Sequence, residues 1–243
     1  MIRVAAVGDV HASDDRLDDL APGFADVDEH ADVLLLAGDL TRRGMPEEAE
    51  ALGRQLAAVT VPKVAVLGNH DHHAGFAEEV SEILRGHGVT VLEQDTVTLE
   101  VGEWMLGIAG VKGFAGGFGH NALTAFGEPE IKHFVERAET AGRALWRSLT
   151  DLAACGCDAR VALLHYAPIP GTVADERPEI QPFLGTQKLA DAVDRAGADL
   201  VVHGHAHRGP HEGETPGGVP VRNVAMPLMG APYRVFRLVP VRR

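Results

Sequence analysis

Five short runs of this chain, at residues 2–7, 33–36, 64–67, 161–164 and 200–202, are apolar almost throughout, and each ends on a glycine, a polar residue or both. Runs of that length and β-branched character predict strands covered on both faces, as in an open α/β sheet. Between them the period changes. Residues 46–59 begin with Pro46, Glu47 and Glu48 and continue with Leu52, Leu56 and Val59 at helical spacing. A proline in the first turn followed by carboxylates suits a helix start and its dipole. Residues 76–84 and 187–196 read as helices in the same way. Shorter runs at 90–92, 97–101, 104–109, 219–224 and 234–239 predict antiparallel strands, so the pattern describes two sheets with helices around them. Two stretches lack a period of their own: 112–129, rich in glycine and phenylalanine, and 167–182, rich in proline and glutamate. Loops of that length are expected to be lids or mobile connections inserted in one domain spanning residues 1–243.

The chemistry-bearing residues sit just past the buried runs. They read Gly8-Asp9-Val10-His11, Gly38-Asp39-Leu40, Gly68-Asn69-His70-Asp71, His165-Tyr166 and Gly204-His205-Ala206-His207. In an open α/β sheet the carboxyl ends of the strands share one crevice, and glycines let the backbone turn sharply there. Carboxylate, amide and imidazole ligands from five strand ends are a donor set for two first-row metal ions.

The order of these five blocks, running from residue 8 to residue 207, resembles the calcineurin-like metallophosphoesterase family, and within it the small bacterial phosphodiesterases, because Gly204-His205-Ala206-His207 keeps both histidines. That resemblance implies a four-layer αββα sandwich of two mixed β-sheets flanked by helices. It implies that Asp9, His11 and His207 hold one metal, that Asn69, His165 and His205 hold the second, and that Asp39 bridges the two. Two dications about 3.5–4 Å apart repel, and a shared anion between them offsets the repulsion. The resemblance further implies in-line attack on phosphorus by a hydroxide bridging the two ions, with His70 as general acid for the leaving group. In protein serine/threonine phosphatases of the family an aspartate supports that histidine; Arg42 stands there in this chain, so the support is expected to be absent. Arg43, on the same loop, either meets phosphate or is solvated, and it is left outside the core site.

Composition narrows the function. The 243 residues are 45% hydrophobic and 23% charged, enough for one well-filled core. A formal net charge of −13 disfavours loose binding to a phosphate backbone, so a small phosphate ester, a diester first and a monoester second, outranks nucleic acid as substrate. No apolar stretch reaches bilayer length, and the first strand starts at Ile2 with a ligand already at Asp9, which sets the expectations of no membrane partner, no cleaved secretory segment and a cytoplasmic location. Cys155 and Cys157 have no partner cysteines for a structural zinc site and read as incidental thiols near a helix end. Nitrogen and oxygen ligands without thiolate favour manganese or iron, then zinc or cobalt. The other readings are a catalytically silent metal-binding scaffold and a nuclease; a homo-oligomer is left open. His72, His73, His120 and His211 are expected outside the ligand set, and Phe114, Phe118, Tyr166 and Phe183 form either an apolar rim or ordinary core.

Overall fold

The computed structural model describes residues 1–13 and 23–241. Its first sheet has the order β11-β1-β2-β3-β4, formed by β1 (Ile2–Val7), β2 (Val33–Ala37), β3 (Lys63–Val66), β4 (Val89–Val91) and β11 (Arg234–Leu238). The second has the order β5-β6-β7-β8-β10-β9, from β5 (Asp95–Val101), β6 (Trp104–Val111), β7 (Ala159–Leu164), β8 (Leu200–His203), β9 (Glu212–Glu214) and β10 (Pro220–Asn223). Strands β1 to β4 run parallel and β11 closes that sheet antiparallel to β1. In the second sheet β6, β7, β8 and β10 are parallel, with β5 and β9 antiparallel at the edges. Both sheets are therefore mixed.

Side-chain parity shows how the layers stack. Along β1, Ile2, Val4 and Ala6 join Val33, Leu35, Leu106, Ile108, Val161 and Leu163 in a core between the sheets. Their neighbours Ala5 and Val7 face the other way, onto Leu52 of α2 (Pro46–Gln55) and Val80 and Leu84 of α3 (Ala77–Gly86). The outer face of the second sheet does the same against Leu145 and Leu149 of α4 (Pro129–Ala154) and Leu189 and Val193 of α5 (Gln187–Ala196). Strands covered on both faces must be apolar at consecutive positions, which is why β2 is Val-Leu-Leu-Leu-Ala with every residue buried. Each fully buried leucine there contributes about 1.5–3 kcal/mol. The result is the four-layer αββα sandwich.

Several elements differ from the sequence reading. Residues 46–59 divide into α2 and a 3₁₀ turn at Leu56–Ala58. Strand β4 pairs parallel with β3, because α3 returns the chain to the same end of the sheet. Strand β10 pairs parallel with β8 as well as antiparallel with β9. The sequence reading missed α4, although its buried Val135, Ala138, Gly142, Leu145, Leu149 and Leu152 recur at helical spacing. A short helix, α1 (Val27–His30), was also missed.

Candidate metal centre

The carboxyl ends of β1, β2, β3, β7 and β8 meet at one edge of the sandwich. Donor atoms of three overlapping groups, Asp9-His11-His207, His11-Asp39-His70 and Asp39-His165-His205, each lie within 4.8 Å of one another. The shared members are His11 and Asp39, so Asp39 stands between the outer groups. The first sheet supplies Asp9, His11, Asp39, Asn69 and His70, and the second supplies His165, His205 and His207.

Backbone geometry is unusual at these positions. Of the five non-glycine residues with positive φ among those described, four are Asp9 (55°), His11 (47°), Asp39 (50°) and His205 (70°). Left-handed backbone is unfavourable for residues with a Cβ and persists where surrounding bonds over-determine it. Those bonds are present: Gly8 N–H donates to the Val224 carbonyl (2.7 Å), Asp9 N–H to the Gly38 carbonyl (2.9 Å) and His11 N–H to the Asp39 carbonyl (3.0 Å). Two glycines make room for the carboxylates. A Cβ on Gly68 would run into Asp39, and one on Gly204 would run into Asp9.

Each carboxylate is anchored through one oxygen. Asp39 Oδ1 accepts from the His70 N–H at 2.8 Å and Asp9 Oδ2 from the His205 N–H at 2.8 Å. Asp39 Oδ2 stands 3.9 Å from both His11 Nε2 and His70 Nε2, and Asp9 Oδ1 is 2.9 Å from His207 Nε2. Burial alone would raise the Asp9 pKa, yet the His207 hydrogen bond and the nearby imidazoles leave it below its ordinary value. The same hydrogen bond raises His207. Burial, with His165 adding to it, lowers His205 to about 3, and burial lowers His11. Neutral imidazole is the form that binds metal.

The convergence at His165 tests whether a cation fits. His165 is fully buried, and its Nδ1 lies 2.9 Å from the Ala37 carbonyl, which can only accept. An N–H on Nδ1 donates there, and Nε2 faces Asn69 Oδ1 at 2.9 Å and Asp39 Oδ1 at 3.3 Å. An imidazole nitrogen, an amide oxygen and a carboxylate oxygen converging in this way are a donor set that suits a positive ion. With Asp39 also reaching the Asp9-His11-His207 side, the donors fit a dinuclear metal site.

His70 stands at the mouth, with its side chain 45% exposed. Its Nδ1 lies 2.8 Å from the main-chain carbonyl of Arg42, which orients the other nitrogen toward the site. The supporting aspartate is absent, as Arg42 implied, and the main-chain carbonyl of Arg42 stands at the ring nitrogen instead. The loop is held in turn by Glu48, in the first turn of α2, whose carboxylate accepts from the N–H groups of Arg43 (2.8 Å) and Met45 (3.3 Å). Arg42 and Arg43 line a 340 Å³ hollow with Asn69, His70 and His73.

Asp71 joins two of the strand-end loops. Fully buried, it accepts from Leu40 N (3.2 Å), Thr41 N (2.8 Å), Thr41 Oγ1 (2.6 Å) and Gly68 N (2.7 Å). Two other supports were not singled out by the sequence analysis. His203, fully buried and lowered to about 4 by burial, donates from Nδ1 to the Gly204 carbonyl (2.7 Å) and accepts from Thr172 (2.9 Å). Asn223 donates to the Ala206 carbonyl at 2.7 Å. Both lie at the ends of buried strands, one residue before the glycine of a motif in the case of His203, and that placement was the available signal. Through Thr172, and through Glu176 accepting from Arg208 N at 2.9 Å, the segment 167–182 is pinned beside the His205-His207 loop. His72, His73, His120 and His211 belong to none of the three donor groups. Tyr166 is buried, with its ring 4.5 Å from His205, while Phe183 is 58% exposed and its carbonyl lies 3.4 Å from His205 Nε2.

The fold and this site together define the class. Residues 2–209 match the calcineurin-like phosphoesterase family, and the chain belongs to it. No curated protein matches the sequence significantly. Among solved structures, a phosphopantetheinyl hydrolase from Mycobacterium tuberculosis shares 16% identity and superposes with a TM-score of 0.64 over 98% of this chain and 96% of its own. The protein TT1561 of Thermus thermophilus shares 17% identity with a TM-score of 0.61, covering 97% of this chain and 98% of its own. At such identities the likeness is one of fold. No helix among the described residues is long and apolar enough to cross a membrane.

Proposed function

We propose that this protein hydrolyses small phosphate diesters, and monoesters more slowly, with two transition-metal ions, manganese or iron first, held by Asp9, His11 and His207 on one side and Asn69, His165 and His205 on the other, and shared by Asp39. The observation that carries this reading is the convergence on His165 Nε2 of Asn69 Oδ1 at 2.9 Å and Asp39 Oδ1 at 3.3 Å. Bound there, the ions would lower the pKa of water toward neutrality and offset charge on the phosphoryl oxygens.

The protein's own residues do the rest. Backbone N–H groups of His70 and His205 fix the carboxylates so that each keeps an oxygen turned inward. The Arg42 carbonyl holds one face of His70, leaving the Nε2 of an exposed ring to give a proton to the departing alkoxide. Arg43, beside His70 in the same hollow, offers a guanidinium to a phosphate oxygen.

The test is turnover of bis-p-nitrophenyl phosphate, p-nitrophenyl phosphate, cyclic nucleotides and short single-stranded DNA, with and without manganese, with metal content measured alongside. Asp39→Asn is expected to lose at least one metal and all turnover. His70→Ala is expected to keep its metal and lose roughly 10²–10⁴-fold in kcat, the usual contribution of general acid catalysis. A wild type that holds both ions and cleaves no ester would overturn the proposal, and metal loss from His70→Ala would make that residue a ligand.

A further inference from the structure

Next to the centre lies a second pocket, of 470 Å³, that none of the proposed chemistry uses. Its wall borders the site: Leu67 precedes Gly68, and the Lys112 carbonyl accepts from the N–H groups of His165 (3.1 Å) and Tyr166 (3.0 Å). Its size is that of a small-molecule pocket.

The lining has two parts. Leu67, Leu92, Val111 and Ala141 make an apolar floor, and the Phe114 ring stands over it, 4.9 Å from Phe134. Above them are two cations, Lys112 and Arg137, and Arg137 stacks on Phe114 at 5.1 Å. Acidic groups on the wall do not neutralise them. Glu93 pairs with Arg85 at 3.3 Å, and Glu136 and Arg137 are both exposed on α4. Burial, then the Arg137 charge, lowers the Lys112 pKa, opposed by Asp39 and Asp71. Asp39 belongs to the metal centre and Asp71 spends its oxygens on four hydrogen bonds, so the carboxylates that act on Lys112 are committed elsewhere. The pocket wall also includes Gln94, the fifth non-glycine residue with positive φ among those described, at 65°.

We infer that this pocket binds one ester arm of the substrate, an apolar or aromatic chain ending in a second anionic group, with Lys112 and Arg137 receiving that anion. The inference rests on the phosphodiesterase reading and names the class of ester. A phosphate and a carboxylate share the required charge and differ in geometry, and the experiment separates them.

Three chromogenic diesters of p-nitrophenyl phosphate serve as probes, carrying a plain hexyl arm, a hexyl arm ending in phosphate, or one ending in carboxylate. On metal-loaded wild type, at least one anionic arm is expected to raise kcat/KM over the plain arm by roughly ten- to hundredfold, the range of one charge-assisted hydrogen bond. The gain should appear mainly in KM. Lys112→Met and Arg137→Ala, measured as the ratio of anionic to plain substrate, should each bring that ratio toward one. Binding of hexane-diol monophosphate against hexanol, followed by calorimetry, should show the same dependence without turnover. Cleavage of bis-p-nitrophenyl phosphate with no preference for either anionic arm overturns this inference and leaves the phosphodiesterase reading standing. A preference that survives both substitutions also overturns it. Absence of cleavage of any diester by a fully loaded protein instead removes the reading beneath it.

Discussion

Replacing Asp71 with alanine tests whether one buried carboxylate holds the metal centre together from outside it. The side chain is fully buried and accepts four hydrogen bonds, three from backbone N–H groups of Leu40, Thr41 and Gly68 and one from the Thr41 hydroxyl. An unsatisfied buried donor costs about 1–3 kcal/mol, so three stranded N–H groups would cost about 3–9 kcal/mol if nothing else changed. Two effects reduce that. Water can enter the vacated space, and the wild-type carboxylate is itself disfavoured, because burial, then the Asp39 charge, pushes its pKa above the ordinary value. A loss of about 3 kcal/mol is expected, out of a total that is typically about 5–15 kcal/mol. Asp71→Asn keeps one acceptor oxygen and should lose about half as much. Urea unfolding of chelator-treated protein, with unchanged m-values, measures both. The loops after β2 and β3 should loosen together, so metal affinity should fall in the same order. Equal stability of wild type and Asp71→Ala, within about 1 kcal/mol, would refute the reasoning, as would an Asn variant weaker than the Ala variant.

Two further outcomes follow from the same geometry. Gly204→Ala places a Cβ against Asp9 Oδ2, the oxygen held by the His205 N–H; metal affinity by chelator competition should drop roughly ten- to hundredfold, as for other changes just outside a ligand shell, and an unchanged affinity would show that the carboxylate has room to move. Tyr233 donates to Asp26 at 2.6 Å, and burial with that hydrogen bond raises its pKa from 10 to about 12. The folded value exceeds the unfolded one, so its stabilisation is whole below pH 10 and disappears as the pH rises to about 12. Alkaline unfolding curves of wild type should therefore fall more steeply through that window than those of Tyr233→Phe, and superimposable curves would contradict the assignment.

Much of the site was legible because it depends on chain-local signals. A buried strand is apolar at every position, and the ligand follows where the strand stops, so Asp9, Asp39, Asn69, His165 and His205 could be placed at strand tips before any coordinates. What was hidden is what depends on distant main-chain atoms. The Arg42 carbonyl under His70 leaves no mark on the identity of residue 42, since every residue has a carbonyl. Strand β9, Glu-Gly-Glu, has no apolar face and exists through its backbone pairing with β10. Helix α4 carries a helical period in Val135, Ala138, Gly142, Leu145, Leu149 and Leu152 that the sequence reading passed over; its closeness to α5, where a Cβ on Gly142 would meet the Lys188 carbonyl at 2.8 Å, is the part that only the packing reveals.

The division of the donor set between the two sheets reaches past chemistry. Four of the seven proposed ligands hang from one slab of the sandwich and three from the other, so ions seated among them would fasten the slabs at their shared rim. Occupancy is then a structural variable: at a free metal concentration of about a hundred times Kd, each independent site adds about 2.7 kcal/mol to the folded state. An organism short of the metal would be left with a less durable protein as well as an idle one, and the supply of the ion would govern how much of it survives.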